Sequence, residues 1–209
     1  MIIELHELFN SLPRFKWNMI KQIGLSNGIY IVFESGEMFN GLDRIVRVGT
    51  HNSDGRLSLR LKNHFVNENK DGSIFRKNIG KAILNRNTDF YLPIWSMNSS
   101  EKSKMVSVQG YDPTYQKKIE KDVSEYMRTH LTFACFPVLS MTERHRLEEG
   151  IISTLNMNNT FKASSDWLGK YSPESKIRGC GMWLKQGLNC TPLVEQEYDD
   201  IKSYCAYSV

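Results

Sequence analysis

The chain has 209 residues, of which 40% are apolar and 24% charged. These are the proportions of a folded globular protein rather than a disordered one, and the length suits one domain or one domain with a large insertion. The formal charge of +4 permits a polyanionic partner without requiring one. The opening MIIELHELFNSLPRF carries acidic residues and no apolar core of a secretory signal. No run approaches the ~18 apolar residues of a membrane span, so a cytoplasmic protein is expected. Cys135, Cys180, Cys190 and Cys205 form no CxxC pair, and His145 does not complete a zinc spacing, so reduced structural thiols are expected.

In chain order, GIYIVFE (28–34) is rich in β-branched and aromatic residues, and RIVRVGT (44–50) alternates apolar with basic residues before its glycine. SGEMFNGLD between them supplies Gly36 and Gly41 as turn residues, and the three segments predict an antiparallel hairpin. Asn52, Ser53 and Asp54 are N-cap types ahead of a helix with Leu57, Leu61 and Phe65 on one stripe. Arg56, Arg60 and His64 keep the same spacing beside it. SIFRKNIGKAIL predicts a second helix with Phe75, Ile79 and Ile83 inward and Arg76, Lys77 and Lys81 elsewhere. Residues 94–114 read as a long irregular connection. YQKKIEKDVSEYMRTH places Tyr115, Ile119, Val123 and Met127 on one face, and LTFACFPVL suits a central strand. Ser140 and Glu143 form a capping box for a helix over ERHRLEEGIISTLN. Beyond Asn156 the chain reads as irregular, with Trp167 and Trp183 more suited to covering the core than to stacking on bases.

The ordered set Gly28-Ile29-Tyr30, Arg47-Val48-Gly49, Arg60 with His64, and a glutamate on a later helix resembles the GIY-YIG nuclease superfamily. RVGTH, GSIFRKNIGKAIL and SSDWLGKYSPESKIRGCGMW are similar to segments of a bacterial branch of it, so the resemblance spans most of the chain. It implies an α/β fold: a small mixed three-stranded sheet flanked by helices, with a helical insertion. It also implies phosphodiester cleavage with one divalent metal, Mg²⁺ or Mn²⁺, held by Glu148. Tyr30 would be the base or water-orienting group and Arg60, with His64 one turn later, the phosphate clamp. Where the second motif usually has a tyrosine this chain has Arg47, which cannot accept a proton near neutral pH. Tyr30, His51 or His64 must then carry the base role.

The residues support such chemistry independently of any resemblance. Phosphodiester hydrolysis needs a positioned water, a proton acceptor, and positive charge at the phosphoryl oxygens. Arg60 offers a planar fork matched to phosphate, and a neutral imidazole is a plausible base. Arg47, Arg56, Arg76 and Lys77 are expected to follow the nucleic-acid backbone, which positions a duplex without reading it. The ordinary readings are a packed strand tyrosine for Tyr30, a surface arginine for Arg60 and an ion pair with Arg144 for Glu148. Helical phase favours Glu148 over Glu149 as the inward carboxylate.

The expected organisation is a single GIY-YIG-like nuclease domain over 1–209. Its core covers about 26–65 and 130–160, an insertion about 66–130, and an irregular extension 161–209. The expected partner is DNA, with no membrane association, and symmetric cutting of two strands would favour a homodimer. The size, without a recognisable zinc finger or helix-turn-helix, resembles stand-alone restriction-type members. A catalytically inactive nucleic-acid-binding module and an RNA-directed nuclease are the alternatives.

Overall fold

The computed structural model describes residues 1–98 and 106–207. Strand β1 (Gly28–Phe39) runs between β2 (Leu42–Gly49) and β3 (Leu131–Pro137), and both pairings are antiparallel. The burial of β1 follows from its sequence, since GIYIVF is apolar at successive positions and so needs cover on both faces. Tyr30 and Val32 lie in one core with Phe133 and Cys135; Ile29, Ile31 and Phe33 lie in another with Ala134 and Phe136. LTFACFPVL, expected at the centre, forms an edge instead. That edge is closed by Phe15, whose N–H and C=O both pair with Phe133.

The hairpin turn is Asn40-Gly41, with φ of 48° and 79°. Two adjacent residues at positive φ match the twist of the flanking strands, and Asn-Gly tolerates that conformation best. Gly36, expected in the turn, lies within β1 where the register shifts. A second irregularity matters more for the site. Val32 pairs with Arg47 and Phe33 with Ile45, leaving Val46 as a bulged residue. The Val46 carbonyl accepts the Trp183 N–H at 2.7 Å, and Arg47 donates to the Trp183 carbonyl. The free edge of β2 is thereby occupied by the C-terminal segment.

On the Tyr30 face, α2 (Leu57–Phe65) buries Leu57, Leu61 and Phe65 as expected. It begins after Arg56 with no side-chain cap, because the Leu57 N–H goes to the Ser26 carbonyl and Asp54 pairs with Arg144 instead. Helix α3 (Ile74–Arg86) is capped by Ser73, and every residue from Phe75 to Gly80 is buried. Helices α4 (Leu92–Ser96) and α5 (Pro113–His130) complete this face. Part of the connection expected at 94–114 is α4, and 99–105 lie outside the described residues.

The opposite face is covered by α1 (Ile2–Ser11) and α6 (Met141–Asn156). Ser140 caps α6 by accepting the Glu143 N–H, and Leu147, Ile151, Ile152 and Leu155 form its buried stripe. The extension, expected to be irregular, holds a 3-10 turn (Leu168–Tyr171), α7 (Ser175–Cys180) and α8 (Glu195–Ala206). Trp167 and Trp183 are buried, and both indole N–H groups donate to Glu34, at 3.0 and 2.8 Å. Among the described residues no helix is long and apolar enough to cross a membrane.

Candidate active site

The C-terminal end of β2, one flank of α2, the first turns of α3, the middle of α6 and the segment Leu184–Gly187 enclose a cavity of about 560 Å³. Arg47, Arg60, Asn78 and Glu148 contribute to its wall from four different elements. A second cavity of about 320 Å³ runs along α2 past Arg56 and Asn63, and Arg60, Thr50 and Asn52 line both. The two therefore meet at Arg60. The Arg60 Nε and the Arg47 Nε are buried and have no hydrogen-bond partner.

Glu148 reaches the cavity because it lies one residue off the buried stripe of α6, leaving its side chain 21% exposed. Burial pushes its carboxyl above the ordinary range, opposed by Arg47, His145 and the Thr50 backbone N–H. Its ion pair is with His145, one turn earlier, at 3.6 Å. Arg144 is directed elsewhere, to Asp54 at 2.8 Å and to the Val138 and Leu139 carbonyls. The Asp54 pair ties the start of α6 to the loop ahead of α2, and so holds the Glu148 wall against the Arg60 wall. Glu149 also borders the cavity but is exposed.

Tyr30 and His64 stand outside the cavity lining, both fully buried. The Tyr30 hydroxyl is 2.8 Å from His64 Nε2, and His64 Nδ1 is 2.6 Å from the Ser73 hydroxyl. Burial holds His64 well below its usual pKa, and Arg47, Arg60 and Arg76 add to the effect. The neutral ring therefore donates to one hydroxyl and accepts from the other. Gly49, between the cavity residues Val48 and Thr50, exists in this form for Tyr30: a Cβ there would lie 2.2 Å from the Tyr30 hydroxyl.

Other expected site residues are placed differently. His51 donates from Nδ1 to the Ser53 carbonyl at 2.7 Å and accepts the Gly28 N–H at Nε2, so both nitrogens are committed to backbone. Burial also depresses its pKa. Its geometry is that of a strut between the start of β1 and the end of β2. Arg56 is exposed beside the second cavity. Arg76 and Lys77, expected on a phosphate-facing surface, turn inward. Arg76 is fully buried against Glu120 at 2.8 Å, and Lys77 bonds the Met97 carbonyl and Asn98. Burial lowers the Lys77 pKa to about 8.

Among the cavity residues that escaped the sequence reading are His145, Asn78 and Lys185. Only His145 had a signal, its i, i+3 spacing to Glu148. The four cysteines are free thiols, and burial pushes Cys180 to about 11 and Cys205 to about 12, which leaves them unreactive.

A family model described as the GIY-YIG domain matches residues 12–202, and the chain belongs to that family. Its members are nucleases that generally use a divalent metal ion. No curated protein and no solved structure matches the chain. Among the described residues no group of three or more His, Cys, Asp and Glu is placed to hold a metal. Magnesium makes a smaller demand, since it keeps several waters and takes one or two carboxylates plus substrate phosphate. One carboxylate in an arginine-flanked cavity fits that pattern.

Proposed function

We propose that the protein is a Mg²⁺- or Mn²⁺-dependent endonuclease that hydrolyses DNA phosphodiester bonds, with stand-alone restriction-type enzymes as the nearest analogy. The observation that carries this reading is the convergence of Arg47, Arg60 and Glu148 on one cavity. Arg60 would clamp the phosphate through its fork, its unpartnered Nε donating to a phosphoryl oxygen. Arg47 would add positive charge to the same wall, and Arg56 would meet a neighbouring backbone phosphate along the second cavity. Glu148 would hold the divalent cation, which supplies Lewis-acid polarisation and a template for the phosphoryl group. Tyr30 is the base or water-orienting group, its hydroxyl held 2.8 Å from His64 Nε2. Unpaired thiols suit a cytoplasmic setting, and a homodimer would allow both strands to be cut.

The test is cleavage of plasmid, single-stranded DNA and RNA with Mg²⁺, with Mn²⁺ and with excess EDTA. Glu148→Gln should bind DNA but not cut it, while Glu149→Gln stays active. Cleavage that persists in EDTA, or activity lost in Glu149→Gln and kept in Glu148→Gln, would overturn the assignment. A second reading, a nucleic-acid-binding module without catalysis, is favoured by two observations: Arg47 at the usual tyrosine position, and a Tyr30 hydroxyl that does not line the cavity. It requires DNA binding without cutting under either metal.

A further inference from the structure

We infer that Asn78 is a second oxygen ligand of the active-site cation, reached directly or through one of the cation's waters. Asn78 belongs to α3 and is not one of the motif residues Tyr30, Arg47, Arg60, His64 and Glu148. It is 1% exposed, it lines the cavity that holds Glu148, and its Oδ1 is buried without a hydrogen-bond partner. A buried amide oxygen left unpaired costs about 1–3 kcal/mol, so such an atom calls for a ligand. Exchanging the amide's oxygen and nitrogen would leave the nitrogen buried in its place.

The neighbouring orphans narrow the chemistry. Arg47 Nε and Arg60 Nε are donors lacking acceptors on the same wall, yet neither bonds Asn78. The missing ligand must therefore offer acceptors to two guanidinium groups and a Lewis acid or donor to an amide oxygen. A phosphate alone, acceptor-only when fully ionised, leaves Asn78 Oδ1 unpaired in the orientation the amide takes here. A phosphate accompanied by a hydrated divalent cation satisfies all three atoms, and an amide carbonyl is the hard oxygen such a cation prefers.

This rests on the proposed metal-dependent reading but is tested apart from turnover. Mn²⁺ binding is measured by electron paramagnetic resonance in the wild type, Asn78→Leu, Asn78→Asp and Glu148→Gln, each with and without a short phosphorothioate DNA duplex. Circular dichroism and melting confirm folding. Asn78→Leu should weaken Mn²⁺ binding at least tenfold, and Asn78→Asp, which keeps the oxygen, should restore it. Calorimetric Mg²⁺ titration separates the modes: a direct ligand lowers affinity without DNA, a water-mediated one only with it. Unchanged Mn²⁺ affinity in Asn78→Leu under both conditions, or equal loss in Leu and Asp, overturns the inference. If Mn²⁺ binding depends on Asn78 but no nucleic acid is cut, the nuclease reading fails while this one stands.

Discussion

Arg60 holds a position that a surface arginine would not: its Nε is buried and unpaired at the junction of two cavities. If it meets the phosphate through its fork, Arg60→Lys keeps charge but loses geometry, and turnover should fall roughly 10²-fold. Single-turnover kinetics check this, and equal rates would demote Arg60 to a binding charge. Tyr30→Phe removes only the hydroxyl and its bond to His64, so stability should fall by about 1–3 kcal/mol, the buried His64 Nε2 being left unpaired, while cleavage is lost. An active Tyr30→Phe would move the base to a group within the cavity lining. The placement of Arg60 and Glu148 on one cavity was legible because motif spacing and helical phase report which residues lie near the sheet. Arg76 and Lys77 were not, because the partner that draws Arg76 inward is Glu120, on α5, and periodicity within one helix carries no trace of it. Asn78 gave no signal for the same reason, since α3 is covered on most sides and its inward residues follow no single stripe.

At the scale of elements, the strands and the helices α2, α3, α5 and α6 could be read from apolar periodicity, whereas sheet order and the extension could not. The central strand is the one paired along both edges, and LTFACFPVL is as apolar as β1. What decides between them is which neighbours exist, a long-range property. Helix α8 buries only Ile201 and Cys205, too sparse a stripe to mark it. The extension nonetheless shapes the site, because its Trp183 backbone fills the bulge in β2 and the next four residues form a cavity wall. The other end of β2 shows how tightly strand and site are coupled. Gly49→Ala would drive a methyl against the Tyr30 ring and hydroxyl, which are pinned by His64. Overpacking of this kind costs about 1–3 kcal/mol. A lowered melting temperature together with lost cleavage is the expected result, and a variant that melts like the wild type would show that the strand end yields without strain.

For the whole molecule, the buried histidines set the acid limit of stability. His6 donates from Nδ1 to the Ile2 carbonyl and faces the Ile45 N–H with Nε2 at 3.4 Å, an arrangement that requires a neutral ring. Burial, chiefly, lowers its pKa to about 4. His64 and His51 are depressed in the same direction, again with burial first. A base whose folded pKa is lowered binds its proton more readily when unfolded. Its stabilising contribution is thus full above the unfolded value near 6.5 and falls as pH drops toward the folded one. For His6 alone the loss should reach about 2 kcal/mol by pH 5. Glu34 and Glu148, both raised by burial, act oppositely, since the folded state takes up their protons first. Their gain offsets part of the histidine loss as pH falls. Urea denaturation at pH 7.5 and pH 5 measures the sum, and His6→Leu isolates one contribution, because removing the ring should flatten the pH dependence. A wild type equally stable at both values would mean no net proton uptake on unfolding across that window, and a His6→Leu chain with an undiminished slope would mean that the uptake comes from other groups.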